Sequence, residues 1–172
     1  MRAIVVYESM YGNTHQVAEA IGDGLRETSE VEVISVHSVS PELLAGADLV
    51  VVGGPTHAHG MSREATRKGA VDALDKPGTD LTLDPDAAGD GVREWLDSLG
   101  PTTGRAAAFD TRVDISPVLA GRASKGIAKH LRHLGFEVVA EPMSFLVTKE
   151  THLEPDETTR ASDWGRLLGG SA

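Results

Sequence analysis

Between the apolar run Ala3-Ile4-Val5-Val6-Tyr7 and a helix-like segment lies Glu8-Ser9-Met10-Tyr11-Gly12-Asn13-Thr14-His15. Ser9 and Thr14 bring hydroxyl donors, Asn13 brings an amide, and Gly12 lets the backbone approach a ligand without a Cβ in the way. A helix starting at Asn13 has unpaired N–H groups and a partial positive charge in its first turn, where anions bind. The segment has no lysine or arginine. Its chemistry is therefore phosphate binding through backbone N–H groups and hydroxyls alone. The bland alternative is an ordinary strand-to-helix turn capped by Asn13 or Thr14. The Gly-Lys-Ser/Thr ending of a Walker loop and the dinucleotide Gly-x-Gly-x-x-Gly are both absent.

A second polar stretch reads Gly53-Gly54-Pro55-Thr56-His57-Ala58-His59-Gly60-Met61-Ser62, after the apolar Leu49-Val50-Val51-Val52. Its two leading glycines permit close approach of the backbone to a ligand. With His15, His57 and His59 offer three imidazoles for a metal ion, but His-x-His with no carboxylate between is a weak signal, and no metal is expected. A third stretch, Phe109-Asp110-Thr111-Arg112-Val113-Asp114, follows Arg105-Ala106-Ala107-Ala108. The aspartates Asp80, Asp84, Asp86 and Asp90 lack the spacing and terminal glutamate of an EF-hand, so they read as a solvated acidic loop. They also do not make the clustered acidic pocket of a phospho-receiver. No Gly-x-Ser-x-Gly elbow is present, which disfavours a hydrolase.

The elements that must position these stretches follow from periodicity. Strands are expected over 3–7, 31–36, 48–53 and 105–110, with a fifth formed by 136–139 and 144–148 and interrupted near Pro142. Val17, Ile21 and Leu25 recur at spacings of four and predict a helix over 13–27. Ala120, Ala123, Ile127, Leu131 and Leu134 predict another, ended by Gly135. Shorter helices are expected over 63–74 and 91–99, and a final one over 156–168 with Ala161, Trp164 and Leu168 facing inward. Residues 75–91 read as a long surface loop, of the kind that is often functional or mobile. Strands alternating with helices imply a parallel sheet covered on both faces.

Composition bounds the rest. At 172 residues a single domain spanning 1–172 is expected. Twenty-six acidic and 16 basic side chains give a net charge of −10, which argues against nucleic-acid binding and for docking to positively charged partners. Arg122, Lys125, Lys129 and Arg132 recur at three, four and three and are expected to form a solvated basic stripe on one helix face. There is no cysteine, which excludes disulfides, thiolate metal sites and a cysteine nucleophile in this chain. No apolar run has the length of a membrane span and no signal peptide is recognised, so a cytoplasmic location is expected.

Ser9-Met10-Tyr11-Gly12-Asn13-Thr14 resembles the flavodoxin phosphate loop Ser/Thr-x-Thr-Gly-x-Thr, with Tyr11 in place of the middle threonine. Its Ser-Met-Tyr-Gly part is similar to flavodoxin-like quinone reductases. Pro55-Thr56-His57-Ala58-His59-Gly60 resembles the family's Pro-Thr-x-x-Gly segment beside the flavin ring. The resemblance implies a doubly wound five-stranded parallel sheet of order 2-1-3-4-5 with helices on both faces, the order for which flavodoxin is the standard example. It implies FMN as cofactor. Ser9, Met10, Tyr11, Gly12, Asn13 and Thr14 would sit at the phosphate, and Pro55, Thr56, His57, His59 and Gly60 at one side of the ring. Asp110, Thr111 and Arg112 are the candidates for the other side, by position alone. The tryptophan or tyrosine common there in flavodoxins is missing. Three functions follow as expectations. The first is FMN-mediated electron transfer to a redox partner protein. The second is a flavin-dependent NAD(P)H:quinone reductase acting on a small quinone and a nicotinamide, commonly a homo-oligomer. The third is a binding or regulatory module that has lost flavin.

Overall fold

In the computed structural model, which describes residues 1–75, 77–85, 87 and 89–170, five strand positions form one twisted parallel layer. β1 (Arg2–Tyr7) pairs with β2 (Glu30–Ser35) on one side and with β3 (Leu49–His57) on the other. β3 pairs in turn with β5 (Arg105–Val113). The last position is shared by β6 (Glu137–Val138) and β7 (Met143–Val147), both parallel to β5. Counting β6 and β7 as one interrupted strand, the order is the expected 2-1-3-4-5. A two-residue β4 (Gly60–Met61) folds back antiparallel on β3.

Side chains alternate across the sheet, as the two-residue period of a strand requires. Ile4, Val6, Val50, Val52, Ala106 and Ala108 face α4 (Val92–Ser98) and α6 (Ala123–Leu134). Ala3, Val5, Val51, Ala107 and Phe109 face α1 (Asn13–Arg26) and α7 (Glu157–Gly170). Both faces are apolar, which explains why the central strands read as unbroken hydrophobic runs. Trp164 packs edge-on against Phe109 and Phe145, at 6.5 and 6.2 Å between ring centres, so these three aromatics belong to the core. Among the described residues no helix is long and apolar enough to cross a membrane.

Four expectations are corrected. β3 does not stop at Gly53 but runs to His57, and Pro55 pairs with Thr111. Proline is tolerated there because β1 pairs no further than Gly53, so β3 has no neighbour on that side needing its N–H. β5 likewise continues to Val113, so Thr111 and Arg112 belong to a strand, and the loop after it begins at Asp114. Ala120 lies outside α6, in a short separate turn α5 (Pro117–Ala120), and Gly121 separates the two. The short helix α2 (Pro41–Ala45) has no periodicity long enough to announce it. α3 (Glu64–Asp72) falls where a helix was expected. In the long loop Asp86 lies outside the described residues, and Asp84 is buried rather than solvated.

Candidate functional site

The three polar stretches meet at the carboxyl ends of β1, β3 and β5, the edge where doubly wound sheets bind ligands. Ser9 and Thr14 are 1% and 2% exposed, so their hydroxyls are held inside the loop rather than on the surface. The Ser9 hydroxyl accepts from the Gly12 N–H at 3.1 Å and keeps its own proton to donate. The Thr14 and Thr111 hydroxyls are 2.8 Å apart, so one donates to the other and one proton remains for a ligand. Gly12 has φ +88°, a left-handed conformation that side chains rarely adopt. An added Cβ would meet no protein atom closer than 3.9 Å, so within the protein it is conformation that requires the glycine.

α1 starts at Asn13 with no side-chain cap and no acidic residue in its first turn. Its intrahelical bonding begins at the Gln16 N–H, which donates to the Gly12 carbonyl at 3.0 Å. The ordinary-turn alternative needed Asn13 or Thr14 as the cap. Asn13 instead donates its amide to the Thr151 carbonyl at 2.6 Å, tying the loop to the segment after β7. Tyr11 donates to the Ala70 carbonyl at 2.5 Å, and burial raises its phenol pKa. Met10 is buried, and its carbonyl accepts from the Asp84 N–H at 2.8 Å. The Asp84 carboxylate lies 3.2 Å from His15 Nδ1, and the His15 ring stacks on Tyr7 at 4.4 Å. An acidic group thus stands beside the anion loop, from a stretch expected to be solvated.

The second stretch forms a hairpin, with Thr56 opposite Met61 and His57 opposite Gly60. Ala58 and His59 turn it with φ of +43° and +74°. The Thr56 hydroxyl accepts from the Ala123 N–H at 3.0 Å and so caps α6. His59 bridges to Gly121, which fixes the hairpin tip against the start of α6. Burial lowers the His57 pKa; the Glu8 carboxylate opposes this and the Arg67 guanidinium adds to it. The two glycines before Pro55 serve packing: a Cβ on Gly53 would stand 2.1 Å from the Phe109 ring. Gly54 lies against Glu8 and Val92.

Glu8 was not singled out as a candidate from the sequence, yet it organises the hairpin from behind. Its carboxylate accepts from the Val92 N–H at 2.8 Å and from the Ser62 hydroxyl. Arg67 donates to Ser62 at 2.9 Å and to Glu94 at 3.1 Å. A buried charge needs such partners, but Ser62, Arg67 and Glu94 share no spacing with Glu8 that a sequence would reveal.

Of the third candidates, only Thr111 reaches the phosphate loop. Asp110 is fully buried and accepts from the Ser124 N–H at 2.7 Å, capping α6 beside Thr56. Burial raises its pKa, against hydrogen bonds from Ser124 and Ser144 and the charge of Arg122. Arg112 donates to the Val113 and Ile115 carbonyls at 3.2 and 2.8 Å, shaping the following loop. That loop exposes Val118 (88%) and Leu119 (66%), an apolar surface that sequence reasoning missed. Arg122 leaves the basic stripe, since it donates to Ser144 and to the Pro142 carbonyl. Among the described residues no group of three or more His, Asp or Glu side chains is placed to hold a metal ion.

The fold is that of a doubly wound α/β protein with its polar loops gathered at the carboxyl ends of the strands. The family described as flavodoxin matches residues 5–95, and the chain belongs to that family. Flavodoxins bind FMN and pass electrons to redox partner proteins. Among solved structures, the chain is similar to a flavodoxin from the domain Archaea at 24% identity, covering 99% of this chain and 98% of that one with a TM-score of 0.67. It is similar to oxidised Flavodoxin 1 from Bacillus cereus at 22% identity, covering 100% and 99% with a TM-score of 0.68. Oxidised Flavodoxin 2 from Bacillus cereus is 17% identical, with 100% of each chain covered and a TM-score of 0.68. At these identities the likeness is one of fold. No curated protein matches the chain.

The donor set fits a phosphate monoester. The first turn of α1 has no side-chain cap, buried hydroxyls stand beside it, and Gly12 turns the chain without a side chain. The Asp84 carboxylate, beside His15, opposes a dianion there.

Proposed function

We propose that the chain binds FMN and serves as an electron-transfer protein. The observation that carries this reading is the uncapped first turn of α1 beside the buried Ser9, Thr14 and Thr111 hydroxyls. A capped turn would have spent those donors; here they are left for an anion. In this reading Ser9, Gly12 and Thr14 hold the phosphate with the backbone of Met10, Tyr11 and Asn13. Pro55 and Thr56 set the second loop, and His57, His59 and Gly60 present its tip to the ring. The Val118–Leu119 surface takes the place that an aromatic side chain has in many flavodoxins. Asp110 and Arg112 act one step back, by fixing α6 and the loop after β5. FMN, when bound, supplies the one- and two-electron chemistry. The protein contributes binding, orientation and a negative surface.

A second reading, a flavin-dependent NAD(P)H:quinone reductase, is favoured by the missing aromatic and by the clefts beside the hairpin. One of about 380 Å³ is bordered by His59, Pro117, Val118, Arg122 and Lys125. Adding FMN to the purified protein and recording its visible spectrum and flavin fluorescence tests both readings. Saturable changes at micromolar flavin are expected. No change at those concentrations would sink both. With flavin bound, oxidation of NADH or NADPH by a quinone at catalytic rates would favour the reductase, and its absence the carrier.

A further inference from the structure

A second cleft, of about 450 Å³, opens where the β3–β4 hairpin meets the start of α3. Its volume is in the range of small-ligand sites. Every ionisable side chain lining it is a cation or an imidazole: Arg63, Arg93, His57 and His59. That is a local inversion of charge in a chain of net charge −10.

The cations are available. Arg93 donates Nε to the Ser62 carbonyl at 3.2 Å and Nη2 to the Met61 carbonyl at 3.1 Å, which fixes its plane at the cleft it lines. Arg63 is exposed and has no carboxylate partner among the described residues. Glu8 is engaged by Ser62 and Val92, and Glu94 by Arg67 and the Gly91 N–H, while Glu64, exposed in the first turn of α3, does not line the cleft. The start of α3 adds to the same side. The Thr66 and Arg67 N–H groups already donate to the Arg63 carbonyl, so the Glu64 and Ala65 N–H groups are the ones left in that first turn. Met61, Ala58 and Ala65 give the cleft an apolar wall.

We infer that this cleft is a binding site for a small, multiply charged oxyanion ligand, its phosphate or carboxylate group gripped by Arg63 and Arg93. Planar guanidinium groups match both kinds of oxyanion with paired hydrogen bonds. The grip of Arg63 and Arg93 on an anion does not need the flavin, although His57, His59 and Gly60 line this cleft and also border the proposed ring position. Only the consequence that such a ligand lies beside the flavin, as a reducing or oxidising substrate would, rests on the FMN reading.

The test is an NMR titration of the isotopically labelled full chain with sodium pyrophosphate and, separately, citrate, at matched ionic strength set with sodium chloride. Saturable shifts are expected at Met61, His57 and His59 and at the Arg93 Nε–H. Arg63→Glu should weaken binding by about tenfold or more, by charge reversal at an exposed site, and Arg63→Ala by less. Response to pyrophosphate alone assigns a phosphate ligand, and response to both a general oxyanion site. Shifts confined to residues 12–15, no saturable shift with either probe, or equal affinity in Arg63→Glu would overturn the inference. FMN added to the same sample reports on residues 9–14, so failure of the flavin reading is seen separately from failure of this one.

Discussion

The Asp84 carboxylate has 3% of its side chain exposed and lies against His15, at the mouth of a loop built for an anion. Like charges at short range in a partly buried site cost about 1 kcal/mol or more. Asp84→Asn keeps the shape and removes the charge. FMN should then bind about threefold to tenfold more tightly, on the order of 1 kcal/mol. Fluorescence titration of both proteins measures this, and weaker binding by the variant would mean that Asp84 supports the site through His15. Gly12 has a conformational reason to be glycine in addition to the close ligand approach read from the sequence. Its φ of +88° is a conformation that side chains rarely adopt, whatever space the neighbouring protein atoms leave. Gly12→Val is accordingly predicted to distort the loop and lower FMN affinity at least tenfold, with the FMN titration as its measure. Gly53 has a packing reason as well, since a Cβ there would meet the Phe109 ring, a partner 56 residues away that no local pattern announces.

At the scale of elements, the start of α6 is held by two side chains from the sheet, Thr56 and Asp110. Thr56 is a ligand candidate through its resemblance to the Pro-Thr-x-x-Gly segment, and Asp110 by its position at the end of the expected strand 105–110 alone. The strands run further than their hydrophobic stretches, and this turned would-be loop residues into strand residues that brace a helix. Helix α6 itself was legible from Ala123 onward through its apolar spacing and Gly135, whose φ of +107° ends it. Burial raises the Asp110 pKa, so the folded state holds this proton more tightly than the unfolded chain does. The stability contribution of the group therefore falls as pH rises through the interval above the ordinary aspartate range, and it is restored in acid. Asp110→Asn removes that titration while keeping an acceptor for the Ser124 N–H. Thermal melts should show the variant matching the parent in acid and equal or more stable at neutral pH. Asp110→Ala should lose about 1 kcal/mol relative to Asn at either pH, the usual worth of a helix cap. A neutral-pH melt in which Asn is as damaging as Ala would contradict this account of the cap.

Across the whole molecule, strand order and the two-faced core were readable because parallel central strands advertise themselves as apolar runs, and crossover rules then leave few topologies. The site was legible where it is local, at residues 9–14, and illegible where it depends on tertiary partners: Glu8 with Ser62 and Arg67, Asp84 with His15, Asn13 with Thr151. The net charge of −10 suits a carrier that docks on basic partners, while the arginine-lined cleft is set into that field as an exception. The central claim is that the uncapped start of α1 and its hydroxyls bind the phosphate of FMN. The most direct test compares the affinity of the purified chain for FMN and for riboflavin, which carries the same ring without the phosphate. The account predicts that FMN binds at micromolar concentration or below and at least about a hundredfold more tightly than riboflavin, the worth of a few charge-assisted hydrogen bonds. Equal affinity for the two, or no binding of FMN at these concentrations, would contradict it.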